Sequence, residues 1–163
     1  MIAAPPPVYP WPIGAGTRYH PRALTASVEA GRPVGRLRCT RAEATIRVHV
    51  ELFAKRKVVV VPRGIGISPR GCRYPVHTEE PTGVVNVDTA RSSRLGDLFA
   101  VWGRRLSRGR VLSFRGRVAV FVDGVRYRGD PKAVPLTQHR QIVVEVGGYV
   151  APHDHYLFPK GHG

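Results

Sequence analysis

The chain has 163 residues, of which 42% are hydrophobic, a length and composition typical of one globular domain rather than a disordered chain. No apolar run approaches the roughly 20 residues of a membrane-spanning helix. The excess of 26 Lys and Arg over 11 Asp and Glu gives a net charge of +15, which favours an anionic macromolecule as partner: an acidic protein, a nucleic acid or an envelope polymer.

Residues 1–44 contain no periodic hydrophobic segment, so we expect an irregular N-terminal segment there. The run from Pro5 to Pro12 holds Tyr9 and Trp11 and is typical of a polyproline II segment that docks on the domain or on a neighbouring chain. Docking on a neighbour would make the protein a subunit of a larger assembly. The start of the chain lacks the basic and apolar regions of a signal peptide, so we expect either a cytoplasmic protein or one whose leader is missing from this sequence.

The core domain is predicted over residues 45–146 and begins with a β-hairpin. Apolar and polar residues alternate from Thr45 to Phe53 with a period of two, which predicts a strand. A charged turn at Lys55 to Lys57 precedes a β-branched run from Val58 to Val61, which predicts a buried second strand. A short strand is expected from Val84 to Val87.

One helix and three more strands complete the predicted core. The helix has Ser92 and Ser93 as candidate N-caps and Gly103 after its end, and its apolar face is formed by Leu95, Leu98, Phe99 and Trp102. The turn at Asp123-Gly124 joins predicted strands Arg117 to Val122 and Val125 to Arg128, and the last strand is Gln141 to Val146. The predicted fold is therefore α+β and mostly β, with one helix on a β-grasp-like mixed sheet. The N-terminal hairpin would extend that sheet or form a second one, and residues 147–163 form an irregular C-terminal tail.

Four segments together resemble an uncharacterised family of exported prokaryotic proteins over about residues 35–160: Val61 to Ile67, Cys72 to Thr78, Gly83 to Val85 and Leu95 to Gly103. Members of that family often carry His-x-His in the first strand, His-Thr-His after the second cysteine and one later histidine. The resemblance implies an extracytoplasmic domain and a metal site. This chain keeps two of the histidines and replaces the rest: His49 and His77 remain, and Thr45, Arg47, Glu79 and Asn86 stand at the other positions.

The remaining candidate metal ligands are His49, His77, Glu79 and His139. Imidazole and carboxylate groups would bind zinc or copper if these side chains converge, and no other cofactor is expected. The alternative is that His49 faces outward from its strand and His77 lies in a loop. In the tail, His153 and His155 would point to the same side of an extended chain, although the prolines and glycines around them favour a polar surface loop.

Cys39 and Cys72 flank the predicted hairpin and predict a disulfide in an oxidising compartment, which favours an extracytoplasmic location over a cytoplasmic one. Buried thiols are the alternative. No catalytic signature is present, because the serines lack a nucleophile-elbow context and Gly64-Ile65-Gly66 is not followed by the residues of a phosphate loop. We therefore expect a protein that is not an enzyme.

Seven arginines are the predicted contact with the anionic partner: Arg104, Arg105, Arg108, Arg115, Arg117, Arg126 and Arg128. Phe114 and Tyr127 lie among them, and this combination would bind nucleic acid through phosphate contacts and stacking, whereas an acidic protein would use the same arginines. The sequence thus predicts a non-enzymatic binding module or accessory subunit that docks on an anionic macromolecule. The alternative is an exported metal-binding domain.

Overall fold

A computed structural model describes residues 17–41, 43–88 and 92–158 of the protein, with only the backbone described at positions 17 and 18. The predicted polyproline segment, Pro5 to Pro12, lies outside these ranges. A 3-10 helix spans Pro131–Ala133, and the other elements are β1 (Thr17–Tyr19), α1 (Ala26–Glu29), β2 (Ile46–Ala54), β3 (Lys57–Val59), β4 (Val76–His77), β5 (Val84–Val87), α2 (Leu95–Trp102), β6 (Arg110–Val111), β7 (Phe114–Arg115), β8 (Val118–Val122), β9 (Val125–Tyr127) and β10 (Gln141–Val146).

The centre of the main sheet is a parallel pair, β2 and β10, in which Val50 lies opposite Ile142. Strand β3 flanks β2, strand β8 flanks β10, and both of these pairs are antiparallel. The full order is β1-β3-β2-β10-β8-β9, while β5 pairs with the first half of β2 and β4 pairs with β5. The fold is therefore α+β and mostly β, as predicted, and the order β3-β2-β10-β8 is the β-grasp arrangement. The N-terminal hairpin belongs to this same sheet.

Helix α2 packs against one face of the sheet and forms the main core with it. Its buried side chains belong to one hydrophobic cluster with Val48, Val50 and Ile142 of the central strands. The helix begins at Leu95 with Arg94 as the N-cap, and not at the predicted serines, because the Asp97 carboxylate accepts a hydrogen bond of 2.8 Å from the Arg94 backbone N–H. Gly103 ends the helix in the left-handed conformation, as predicted.

The prediction of irregular structure before residue 45 is wrong for two short elements. Strand β1 pairs in parallel with β3, and helix α1 begins after Thr25, whose hydroxyl accepts a hydrogen bond from the Val28 backbone N–H. Val28 is fully buried in the main core. Strands of two or three residues and a helix of one turn are too short to produce a periodic pattern, which also explains why β4, β6 and β7 were not predicted.

The predicted disulfide between Cys39 and Cys72 is present, with their Cα atoms 5.3 Å apart. It joins the segment before β2 to the loop between β3 and β4. The backbones of Thr40 and Arg73 also form a bridge beside it, so this loop is held at two adjacent positions. No described helix is long and apolar enough to cross a membrane.

Residues 149–158, which we call the C-terminal strap, contain no helix or strand. They lie across the face of the sheet opposite α2. On that face the strap residue Val150 packs beside a small hydrophobic cluster of Phe53, Val58, Phe121 and Val143. The strap follows Gly147 and Gly148, which both have positive φ and turn the chain back over the strand it has just left.

Candidate functional site

The loop between β3 and β4 is a rigid support for the residues that follow it. The Thr78 hydroxyl donates a hydrogen bond of 2.6 Å to the Pro62 carbonyl and accepts one of 3.0 Å from the Ile65 backbone N–H. Gly66 has a φ of +71°, and a methyl group there would overlap the backbone oxygen of Val76. The glycine motif of the sequence therefore allows the loop to pack directly under β4, which fixes the position of His77.

This loop and the start of β2 enclose a polar cleft of about 300 Å³. The strand register explains why distant residues meet there: Arg47 lies opposite Asn86, and Asn86 lies opposite His77, so the three side chains are on one face of the sheet. Five positions that were compared above with histidines of the exported family line the cleft together with Arg73: Thr45, Arg47, His77, Glu79 and Asn86.

His77 is buried, and its ring presents a lone pair to Glu79. Its Nδ1 lies 3.1 Å from the Tyr74 carbonyl, which can only accept, so Nδ1 carries the proton and Nε2 carries the lone pair. Burial lowers the pKa of His77 and keeps the ring neutral. Nε2 is 3.8 Å from the Glu79 carboxylate, which also lies 3.6 Å from the Arg73 guanidinium. A backbone-oriented neutral imidazole next to a carboxylate is a pair that suits a divalent metal ion.

The structure does not bring His49 or His139 to this pair. Both ring nitrogens of His49 are occupied, Nδ1 by the Gln141 side chain at 2.7 Å and Nε2 by the Thr82 carbonyl at 2.9 Å. His139 is exposed and packs on the Phe158 ring, with 4.6 Å between ring centroids. The predicted set of four ligands is thereby reduced to His77 and Glu79. The described ranges contain no group of three or more His, Cys, Asp or Glu side chains that could hold a metal ion.

The alternative, in which His49 faces outward from its strand and His77 lies in a loop, is wrong for His77, whereas His49 does face outward but is covered. His49 and His77 each have 2% of their surface exposed, and His77 belongs to β4. His49 points away from α2, as its alternation predicts, but the C-terminal strap covers that face. The Tyr156 ring lies flat on the His49 ring, with centroids 3.7 Å apart and planes 5° apart.

The strap covers a buried polar network that sequence reasoning missed. Glu51 accepts hydrogen bonds from Gln141 Nε2 at 2.7 Å and from His153 Nδ1 at 2.9 Å, while Glu145 accepts one from the Val150 backbone N–H at 3.0 Å. The hydrogen bond to Glu51 raises the pKa of His153, and burial raises the pKa of Glu145 to about 7. The only sequence signal for this network was the presence of polar residues at alternate positions on both central strands. Such a row normally indicates a face of the sheet that is exposed to solvent, and so it did not predict a buried network.

His153 and His155, which were considered as joint ligands, have separate partners. The His153 ring contacts Glu51 inside the network, whereas His155 Nδ1 lies 2.6 Å from the neighbouring Asp154 carboxylate near the surface. The two rings therefore do not share a site.

The seven predicted contact arginines lie outside the core, around the segment that follows α2 and the β8–β9 hairpin. Six are exposed and Arg104 is partly buried. The Arg108 side chain donates a hydrogen bond of 3.3 Å to the Arg128 carbonyl, and the Arg108 carbonyl accepts one of 3.0 Å from Val118, so these two segments adjoin. In the part of the chain that the structure describes, none of the seven forms an ion pair with a carboxylate. We call these seven residues the arginine surface.

The two aromatic residues near these arginines have different positions. Tyr127 and Phe114 both pack against the margin of the main core, and Phe114 also meets Tyr19 edge to face. Arg126 lies on the strap side of the sheet, 5.7 Å from the centre of the Phe121 ring. The polar cleft is thus separate from the arginine surface, whereas Arg126 also interacts electrostatically with Glu145 of the buried network. Comparison of the chain with family models, curated proteins and solved structures finds no match.

Proposed function

We propose that the protein is a non-enzymatic binding module that docks on an anionic macromolecule through the arginine surface. The observation that carries this proposal is the stretch from residue 98 to residue 122, which contains six arginines and no acidic residue. Four of these arginines are exposed, at positions 105, 108, 115 and 117, and none of the six forms an ion pair with a carboxylate among the described residues. Guanidinium groups in this state are available for bidentate contacts with phosphate, sulfate or carboxylate groups.

The helix dipole accounts for only part of this charge. Arg104 and Arg105 directly follow the C-terminus of α2, where cations are stabilised within the last turn. Arg115 on β7 and Arg117 just after it are outside that range, and both are exposed. An anionic partner gives these two arginines a role that the fold itself does not require. Docking on such a partner would also suit a module that works as an accessory subunit of a larger assembly.

The test is charge reversal at Arg115 and Arg117, with the double change Arg63→Glu and Arg70→Glu as the control of equal net charge. Arg63 and Arg70 are also exposed but lie on the loop between β3 and β4. Heparin binding is measured over a range of salt concentrations. We expect the reversal at Arg115 and Arg117 to weaken binding by about tenfold or more and to flatten its salt dependence, because counterion release falls with each lost contact. Equal effects of the two variants would contradict the proposed surface.

An exported metal-binding domain is a second candidate, and the Nε2 lone pair of His77 facing Glu79 favours it. Zinc or copper would take these two side chains as ligands, with Asn86 beside them in the cleft. Metal content of untagged protein, measured with and without His77→Ala, tests it. Stoichiometric metal that is lost in the variant supports this candidate, and metal at trace level in the unmodified protein removes it. The Cys39–Cys72 disulfide supports an extracytoplasmic location, which thiol titration of the native protein checks.

A further inference from the structure

Two aromatic rings in edge-to-face contact, those of Tyr19 and Phe114, form part of a pocket beside the arginine surface. Strand β1 brings Tyr19 against Phe114 of β7, with ring centroids 4.4 Å apart and ring planes at 66°. Both rings are partly buried, so one side of the pair is fixed on the core and the other faces a pocket of about 230 Å³. That volume is below the roughly 300–1,000 Å³ of pockets for whole small molecules, and it suits one planar ring system.

The walls of this pocket match the contacts that a flat heteroaromatic ring makes. A ring stacked on Tyr19 or Phe114 meets the edge of the other ring, and both offset-stacked and edge-to-face contacts are favourable. His20 and Ser113 line the same pocket and are exposed, so they offer polar atoms to the edge of an incoming ring. A nucleic acid carries such a ring on every nucleotide, whereas an acidic peptide does not carry one on every residue.

Arg104 connects this pocket to a second, basic one. Arg104 lines the ring pocket, and its guanidinium donates a hydrogen bond of 3.3 Å to the Arg22 carbonyl. Arg104 also lines a neighbouring cavity of about 470 Å³ together with Arg105, Ser107 and Lys132. A ring pocket and a basic cavity that share Arg104 as a lining residue offer adjacent places for a base and its phosphodiester.

We infer that the anionic partner of the arginine surface is a single-stranded nucleic acid, with one base stacked in the ring pocket against Tyr19 or Phe114 and the adjoining phosphodiester on Arg104 and Arg105. This inference rests on the proposed function and names its ligand. A single strand is required because the bases of a duplex are stacked on one another and do not present their faces to a pocket. The pocket stacks any base, so binding is expected to depend little on sequence.

The experiment uses the full chain and four labelled polyanions: an oligothymidylate of about 12 nucleotides, which is within the usual site size, an abasic phosphodiester of the same length, heparin and polyglutamate. Binding is followed by fluorescence anisotropy at low salt. We expect the oligothymidylate to bind about tenfold more tightly than the abasic chain, since stacking of one base typically contributes this factor or more. Phe114→Leu should remove this preference while it leaves the affinities for the abasic chain and heparin unchanged.

Tyr149→Leu is the matched control, because Tyr149 is an exposed aromatic residue on the strap side of the sheet. Tyr19→Leu is measured in parallel, and a thermal melt of each variant shows that it is folded. Equal affinity of the unmodified protein for the oligothymidylate and the abasic chain would overturn the inference and leave the proposed function intact, as would tighter binding of polyglutamate. Failure of all the polyanions to bind would instead overturn the proposed function.

Discussion

Replacing His153 with alanine is expected to destabilise the protein far more than the same replacement at His155, two positions further along the C-terminal strap. The two histidines make the same kind of contact in different surroundings. His153 Nδ1 is 2.9 Å from Glu51, a carboxylate with 1% of its surface exposed, whereas His155 Nδ1 is 2.6 Å from Asp154 and both side chains are at least 40% exposed. Comparison of these variants isolates the effect of burial.

The expected decrease in the free energy of unfolding for His153→Ala can be bounded by two known effects. Removal of one partner from a buried ion pair costs about 3–5 kcal/mol, and a hydrogen bond to a charged group contributes about 1.5–3 kcal/mol. Gln141 still donates to the same Glu51 oxygen in the variant, and a loosened strap would admit water, so we expect roughly 2 kcal/mol in the free energy of unfolding. For His155→Ala we expect less than about 0.5 kcal/mol, as for other exposed pairs.

The difference should also depend on pH. The contact with Glu51 raises the pKa of His153 above its unfolded value, so its contribution is fully present below about pH 6.5 and is lost as the pH rises through the raised value. Urea denaturation of both variants near pH 6 and pH 9 measures this. The groups that face His153 are Glu51, Asp154 and, through the network, His49, and hydrogen exchange over residues 149–158 reports whether the strap itself opens.

Equal destabilisation by the two replacements would refute this reasoning, because the exposed pair would then be worth as much as the buried one. A loss at His153 that is the same at pH 6 and pH 9 would refute the charged contact while leaving a packing role.

Three further predictions concern stability. Reduction of the Cys39–Cys72 disulfide should lower the free energy of unfolding by about 3.7 kcal/mol, because the disulfide closes a loop with a sequence separation of 33 and so limits the entropy of the unfolded chain. Urea transitions that coincide for the oxidised and the reduced protein would contradict this. Gly103→Ala should lower the free energy of unfolding by more than about 1 kcal/mol, because the φ of Gly103 is +71° and the added methyl would overlap Thr25. A thermal melt measures this, and an unchanged melting temperature would show that the turn rearranges freely. Glu145→Gln should gain stability relative to the unmodified protein as the pH rises from about 4.5 to about 7, since burial raises the pKa of Glu145 and the unmodified fold loses stability over that interval. Parallel pH profiles would exclude this.

The elements that could be predicted are those whose pattern is complete within a short segment. The alternation of β2 and β10 and the i, i+3, i+4, i+7 spacing of α2 depend only on neighbouring residues. The Asp123-Gly124 turn is equally local, since both residues have positive φ in the structure and the dipeptide favours that conformation. These local signals were sufficient to reach a β-grasp-like sheet.

The features that could not be predicted depend on contacts between distant segments. Strand alternation shows that His49 and Glu51 point away from α2, but only the folded chain shows that the strap covers them. In the same way, the spacing of His77 and Asn86 along the sequence does not show that they lie opposite one another on β4 and β5. That arrangement follows from the register of β4 against β5, and the loop that contains Gly66 packs under β4 and holds it in place.

The place of β10 in the sheet has a consequence for how the chain reaches its folded state during synthesis. In the described sheet, β10 is the only strand that joins β2 and β3 on one side to β8 and β9 on the other. Its residues Gln141 to Val146 are made about 90 positions after their partners in β2, which begin at His49. The β2–β3 and β8–β9 hairpins therefore form separately, and the main core closes only after residues 141–146 have left the ribosome.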